Sequence, residues 1–344
     1  MLGDLVKQVV SPVDENKDDM VSYKLRDAIV TGWKSNREGG RRPTLKKQKD
    51  VWREHWAYAS GTKYWCPRMK IIEMASEQII ESSYDVEDLW NFAQGNAYHT
   101  LFQSEILSSL SKILLGTWER FVKGDDGLYL RETEPSDFKT DEAEYERKFG
   151  IKRDIVRGWG RKPDGKDWVY REAKVRLPDS RIVVKFDGLL DWGNGELEVF
   201  ELKSEREQAR DSLNPFMGGK PRAYHVEQCQ LGMLATGVKK ARLVYLFKGG
   251  YSFKTALIEH EIVFDQKLAL SLLERAKSMR DAVLFFDDLT PEERLEKVQD
   301  LEWLDDHYPR VAECPMKSKG NARYCAGRDI CFPDGYRKKK SSKK

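Results

Sequence analysis

Two carboxylates and a lysine fall within the stretch 185–204, KFDGLLDWGNGELEVFELKS. Asp187 stands on the first of two runs that alternate apolar and polar residues, Glu201 and Lys203 stand on the second, and Gly193-Asn194-Gly195 joins the runs. A glycine-flanked triplet closes a three-residue hairpin loop, and that register sets Asp187 opposite Glu201 and Lys185 opposite Lys203. Side chains alternate faces along a strand, so Glu201 and Lys203 share a face while Phe200 and Leu202 point the other way. Carboxylates brought that close raise each other's pKa unless a cation neutralises them, and a hard divalent ion with oxygen ligands does so directly. The group is a candidate catalytic metal site. Cross-strand charges also occur on ordinary solvated sheets. Here Val199-Phe200-Glu201-Leu202 is apolar enough to be a buried central strand, where an unpaired carboxylate is costly. Asp191, on the same strand face, is assigned to closing the hairpin.

The elements that must position these residues can be read from periodicity. Strands are expected at 168–177, 180–192 and 196–204, then a helix over Ala223–Thr236 ended by Gly237. Alternation in ARLVYLFKG and FKTALIEHEIVF predicts two further strands, followed by a helix over 266–285 and a short acidic helix over 291–306. Upstream, 19–35 and 48–82 read as helical. Apolar residues at intervals of three and four (Leu89, Phe92, Ala93, Tyr98, Leu101, Phe102, Ile106, Leu110, Leu114) predict one long helix or two joined ones over 85–122. The stretch 134–167, dense in charge and punctuated by Pro135, Pro163 and glycines, reads as an insertion or mobile arm. No internal repeat is present.

Composition narrows the class. The 344 residues are 34% charged and 40% hydrophobic, with ten tryptophans and fourteen tyrosines, a globular rather than a disordered balance. No apolar run approaches the ~20 residues that span a bilayer, and 1–11 lacks the apolar core of a secretory signal, so the expected location is intracellular, with no membrane partner. Net charge is +3, of which the tail RKKKSSKK at 337–344 contributes +6. That tail reads as a disordered, solubilising end. Global charge therefore does not announce nucleic acid, whereas 37–53 packs seven basic residues (Arg37, Arg41, Arg42, Lys46, Lys47, Lys49, Arg53) against Glu38 and Asp50. Such a run is a solvated loop or a phosphate contact.

Asp187 followed by Glu201-Leu202-Lys203 on the next strand resembles the core of the PD-(D/E)XK nuclease superfamily. Further features resemble its RecB-like exonuclease branch, which includes phage recombination nucleases and the iron-sulfur exonuclease of CRISPR adaptation. Gly95-Asn96-Ala97-Tyr98-His99 matches that branch's G-x-x-x-H helix motif, and His225-x-x-Gln228, with Met233, Thr236 and Gly237, resembles the helix after the catalytic strands. A strand of the form Val244-Tyr245-Leu246-Phe247-Lys248 follows, as in the family. Gly95 inside a helix costs about 1 kcal/mol and marks close approach of another element. The tyrosine common four residues after the glutamine is Gly232 here, and Gln230 is the rival for Gln228. Ser60 to Arg68, SGTKYWCPR, resembles the early Cys-Pro-Arg segment, with Cys314, Cys325 and Cys331 far downstream. The last two keep the family's C-x5-C, while the usual C-x2-C is replaced by a ten-residue gap between Cys314 and Cys325.

The resemblance implies an α/β fold with a central mixed β-sheet flanked by helices (a restriction-endonuclease-like core), a helical N-terminal region and a Cys-rich C-terminal end. It divides the chain into a helical region 1–84 with the basic loop and Cys66, a nuclease core 85–286 carrying the 134–167 insertion, an iron-sulfur segment 287–336 and the tail 337–344. It implies a metal-dependent deoxyribonuclease in recombination, repair or phage DNA processing, exonucleolytic like most of that branch. Mg2+ or Mn2+ would be held by Asp187, Glu201, His99 and the main-chain carbonyl of Leu202, with Lys203 orienting or deprotonating water and Gln228 positioning that lysine or a phosphate. Cys66, Cys314, Cys325 and Cys331 would hold a [4Fe-4S] cluster; four thiolates suit structural Zn2+ as well. Cys229, on an apolar helix, reads as a reduced core residue. Implied partners are DNA ends or single strands and a helicase or recombination protein, in the cytoplasm, on the nucleoid or in a phage-infected cell. The alternatives are a single-strand or structure-specific endonuclease using the same site, and a subunit that binds DNA ends without cutting.

Overall fold

The computed structural model describes residues 57–60, 65–75, 86–101, 105–106, 109–110, 112–123, 129–133, 141–165, 168–193, 195–248, 256–309 and 331. The expected helix at 19–35, the basic loop 37–53, Cys314, Cys325 and the tail 337–344 lie outside them. The described strands are β1 (Ala57–Tyr58), β2 (Leu114–Leu115), β3 (Thr117–Lys123), β4 (Tyr129–Thr133), β5 (Asp154–Arg157), β6 (Val169–Arg171), β7 (Ala173–Leu177), β8 (Ile182–Phe186), β9 (Gly188–Asp191), β10 (Leu197–Arg206), β11 (Lys240–Lys248) and β12 (Leu257–Val263). They form a five-stranded sheet in the order β12-β11-β10-β9-β2, a four-stranded sheet β1-β8-β7-β5 and a three-stranded sheet β4-β3-β6. Against these pack α1 (Pro67–Ala75), α2 (Val86–Leu101), α3 (Glu142–Phe149), α4 (Ala223–Thr236) and α5 (Gln266–Asp287), followed by α6 (Pro291–Gln299) and α7 (Leu301–His307). The mixed α/β architecture with flanking helices is as expected.

The hairpin register is also as expected. Leu197 pairs with Asp191, and Phe200 with Gly188, around Gly193 and Gly195, both in the left-handed region that glycine tolerates. β10 is buried at Val199, Phe200, Glu201 and Leu202 and runs parallel to β11, so the chain needs a crossover between them. α4 supplies it. Most of its length is buried, and Gly237 ends it with φ 82° and a bond from its N–H to the Met233 carbonyl. Gly232 faces β10 so closely that a Cβ there would lie 3.1 Å from Val199 Cγ1. Any side chain there would need Val199 to give way.

Four expected elements are corrected. Of the helix expected over 85–122, the described residues 86–101, 105–106 and 109 are helical, and from Leu114 the chain forms β2 and β3 instead. The apolar spacing carries on past Leu110 to Leu114, but TWERFVK is rich in aromatic and β-branched residues and finds partners in β4 and β6. Within 48–82 the described helix is α1 alone, and Ala57–Tyr58 instead adds parallel to β8. The described part of the stretch 134–167, residues 141–165, is built into the fold. α3 carries an Asp141 N-cap and a left-handed Gly150 C-cap, buries Tyr145 and Phe149, and leads into β5 at the edge of the four-stranded sheet. Its charges lie on the outward face of a short amphipathic helix, which is why composition alone misread it. The acidic helix expected over 291–306 is two, broken at Asp300, whose side chain caps α7.

Candidate active site

The two central hairpin strands change sheet in mid-course. β8 passes into β9 across Asp187, and β6 passes into β7 across Glu172. Ala173 pairs with Phe186 in the β7–β8 ladder, so Glu172 and Asp187 face each other one position beyond its last rung. The corner is locked by Tyr170, which is buried, fills the space left by Gly116 and Gly188, and donates its hydroxyl to the Asp187 carbonyl. Trp118 packs edge-on against that ring at 5.4 Å and donates its indole N–H to Gly160 at 3.0 Å.

Asp187, Glu201, Lys203, Gln228 and His99 line one cavity of about 240 Å³, together with Glu172. The Asp187 carboxylate accepts the Leu202 N–H at 2.8 Å, which ties it to the neighbouring strand. Its other oxygen lies 3.8 Å from His99 Nδ1, too far for a hydrogen bond. α2 reaches this position because Gly95 lets it cross β10, where a Cβ would lie 3.2 Å from Ser204 Oγ. Glu201 Oε1 accepts from Lys203 Nζ at 2.5 Å and from Gln228 Nε2 at 2.7 Å. Gln228 thus grips the glutamate rather than the lysine. Gln230 is a structural residue: its amide joins the Val263 carbonyl to the Asp265 N–H, at 2.9 and 2.8 Å. Asp191 closes the hairpin, accepting from Gly193 N–H at 2.9 Å and from Arg161 at 2.5 Å.

Burial pushes Glu201 up to about 8, with Lys203 opposing the shift and Asp187 adding to it. Burial also raises Asp187, against the nearby His99 and Lys203. For Lys203, burial favours the neutral amine, but Glu201 and Asp187 outweigh it and hold the ammonium above its usual range. These are carboxylates short of positive charge. Among the described residues no three His, Cys, Asp or Glu side chains stand close enough to grip a metal ion as placed, and Lys203 takes the cation's part beside Glu201. The donor chemistry nonetheless fits a hard divalent ion, since it offers buried carboxylate oxygens and an imidazole in one cavity.

Sequence reasoning missed Glu172. The signal was present: Ala173, Val175 and Leu177 alternate with Lys174 and Arg176, and a tight turn at Pro178–Ser180 returns the chain along β8. Counting back from that turn sets Glu172 against Asp187.

Cys66 precedes α1 and accepts the Met69 N–H through Sγ at 3.5 Å. Two residues on, the buried Arg68 reaches Asp305 at 2.5 Å and the Tyr308 carbonyl at 3.2 Å. Ile71, Ile72 and Ala75 of α1 pack with Ala282, Phe286, Val298 and Leu304. The helix that follows Cys66 is thereby tied to α7 and Tyr308. Cys229 is buried in the main core, and burial pushes its thiol pKa up, as a reduced core cysteine requires.

No helix among the described residues is long and apolar enough to cross a membrane. No protein-family model matches the chain, and no curated protein matches it. Among solved structures, the chain is similar to an alkaline exonuclease (LHK-Exo) from Laribacter hongkongensis, with 16% identity and a TM-score of 0.27 over 46% of this chain and 69% of that one. The same exonuclease in complex with dAMP gives 16% identity and a TM-score of 0.29 over 46% and 68%. The structure of SSO0001 gives 13% identity and a TM-score of 0.32 over 81% and 92%.

Proposed function

We propose that this chain is a metal-dependent deoxyribonuclease of the PD-(D/E)XK type, acting as an exonuclease in DNA recombination, repair or phage DNA processing. The observation that carries the reading is the convergence of Asp187, Glu201, Lys203, Gln228 and His99, from four separate segments of the chain, on one cavity. Asp187, Glu201, His99 and the Leu202 carbonyl would hold Mg2+ or Mn2+. Such an ion supplies Lewis-acid charge for the phosphoryl oxygens and lowers the pKa of the attacking water. Lys203, kept protonated by its two carboxylate neighbours, orients that water and stabilises negative charge as it develops on the phosphoryl group. Gln228 holds Glu201, and the Leu202 N–H holds Asp187, beside the cavity that the ion would enter. Glu172 adds a further carboxylate opposite Asp187.

Cys66, Cys314, Cys325 and Cys331 would hold the [4Fe-4S] cluster, or zinc in its place, a cross-link that adds to the Arg68 clasp between the chain ends. Iron, sulfide and zinc content of anaerobically purified protein decides between them, and Cys325→Ser would lower the melting temperature of the whole fold. The catalytic reading is tested on end-labelled linear DNA and a circular single strand, with Mg2+, Mn2+ or EDTA, beside Lys203→Ala. Metal-dependent loss of linear DNA alone, absent in the variant, is the expected result and gives the polarity. Cutting of the circle would move the assignment to an endonuclease, and cleavage persisting in Lys203→Ala would sink the mechanism.

A further inference from the structure

The four-stranded sheet has two unlike faces. Ala173, Val175 and Leu177 of β7 and Ile182, Val184 and Phe186 of β8 belong to the main core. By alternation the opposite face carries Lys174 and Arg176 of β7 and Val183 and Lys185 of β8, and the same two alternations end at Glu172 and Asp187. Lys174 is registered against Lys185 on one side and against Arg157 of β5 on the other. The row Lys185, Lys174, Arg157 therefore crosses three neighbouring strands at about 4.8 Å per step. Arg176, beside it, has Asp154 at 3.6 Å.

Like charges directly opposed across a ladder destabilise it, and an ordinary solvated sheet face sets opposite charges against each other. Two like-charged pairs side by side call for a polyanion lying over them. An aromatic ring stands at the head of the row. β1 registers Tyr58 beside Val183, the residue is 46% exposed, and Lys185 Nζ lies 5.4 Å from its ring centroid. The cavity that holds Asp187, Glu201 and Lys203 is also lined by Tyr58, Val183 and Lys185, so the basic face and the candidate active site form one continuous surface.

We propose that this face is the track for a single DNA strand leading to the active site, with its phosphates on Lys185, Lys174, Arg157 and Arg176 and one base stacked on Tyr58. The inference rests on the nuclease reading of that site. It differs from a general basic patch in predicting which side of the scissile phosphate is gripped, the side running over β8, β7 and β5.

The test is the salt dependence of binding of a fluorescein-labelled single-stranded oligonucleotide in EDTA, followed by anisotropy across a potassium chloride series. Removing two phosphate contacts in Lys174→Ala/Lys185→Ala should lower the log-affinity against log-salt slope by about 1.4, since each contact on a single strand contributes roughly 0.7. Lys174→Arg/Lys185→Arg should restore the slope. Tyr58→Ala should weaken binding about tenfold at unchanged slope, while Tyr58→Phe keeps the stacking. Lys152→Ala, an exposed lysine elsewhere, should leave the slope as in wild type, and melting curves confirm that every variant is folded. A wild-type slope and affinity in the folded double alanine variant overturns the track while leaving the nuclease reading intact, provided the wild-type protein cleaves DNA with metal. A wild-type protein that neither binds the oligonucleotide nor cleaves DNA overturns both.

Discussion

Two of the regions in which this molecule buries charge do so in opposite ways. At the sheet corner, Asp187 and Glu201 are buried with too little positive charge around them, and both have raised pKa values. At the clasp between α1 and α7, the buried charge is Arg68, a group that stays cationic at any working pH and is answered by Asp305 and the Tyr308 carbonyl within an apolar cluster. The corner holds acids whose charge can change or be met by an arriving cation. The clasp holds a permanent charge that arrives already paired. The proposed function would make the first a region arranged for chemistry, while the second holds the fold together.

That contrast can be broken by substitution. Asp187→Asn keeps an oxygen for the Leu202 N–H, so cleavage of end-labelled DNA should fall by roughly a hundred- to a thousandfold while the melting temperature holds. A matching loss of stability would mean that the corner is structural. Phe286→Ala should do the reverse: it empties a fully buried position in the clasp and should cost about 3–5 kcal/mol in urea unfolding, with DNA cleavage per folded molecule unchanged.

The pH dependence sharpens the comparison. Glu201 has its pKa raised from 4.5 to about 8 in the folded chain, so the folded state holds a proton that the unfolded state has lost across that window. Metal-free protein should therefore lose stability as pH rises from 4.5 to about 8. Glu201→Gln should flatten that slope in urea titrations with EDTA present. A smaller effect of opposite sign is expected from His260, which is buried against the Leu213 carbonyl at 2.7 Å and has its pKa lowered from 6.5 by burial. Its contribution is present above pH 6.5 and is lost as the pH falls and the unfolded chain takes up the proton first. His260→Asn should remove that acid sensitivity without changing stability's dependence on alkaline pH.

Much of the corner was legible. The Gly193–Gly195 turn determined the register of Glu201 against Asp187 because a short glycine loop leaves a hairpin almost no freedom to slip. α4 and its Gly237 end were legible from the same kind of local signal. What was misread lay where local pattern and tertiary partner disagree. Leu110 and Leu114 continue a helical spacing, yet Leu114–Leu115 adds to β9. Glu142 to Lys148 looks like a solvated arm until Tyr145 donates to the Leu234 carbonyl at 2.8 Å and pins the helix to the core.

From its residues alone, then, this chain specified which acids and which lysine would meet, since strand alternation and turn length are local properties of the backbone. Only the tertiary structure decided that Glu172 joins them, that Gln228 rather than Gln230 reaches Glu201, and that a basic sheet face and Tyr58 open onto the same cavity. Those relations depend on where strands change sheet and on which face a helix turns inward, and both are set by packing between segments far apart in the chain.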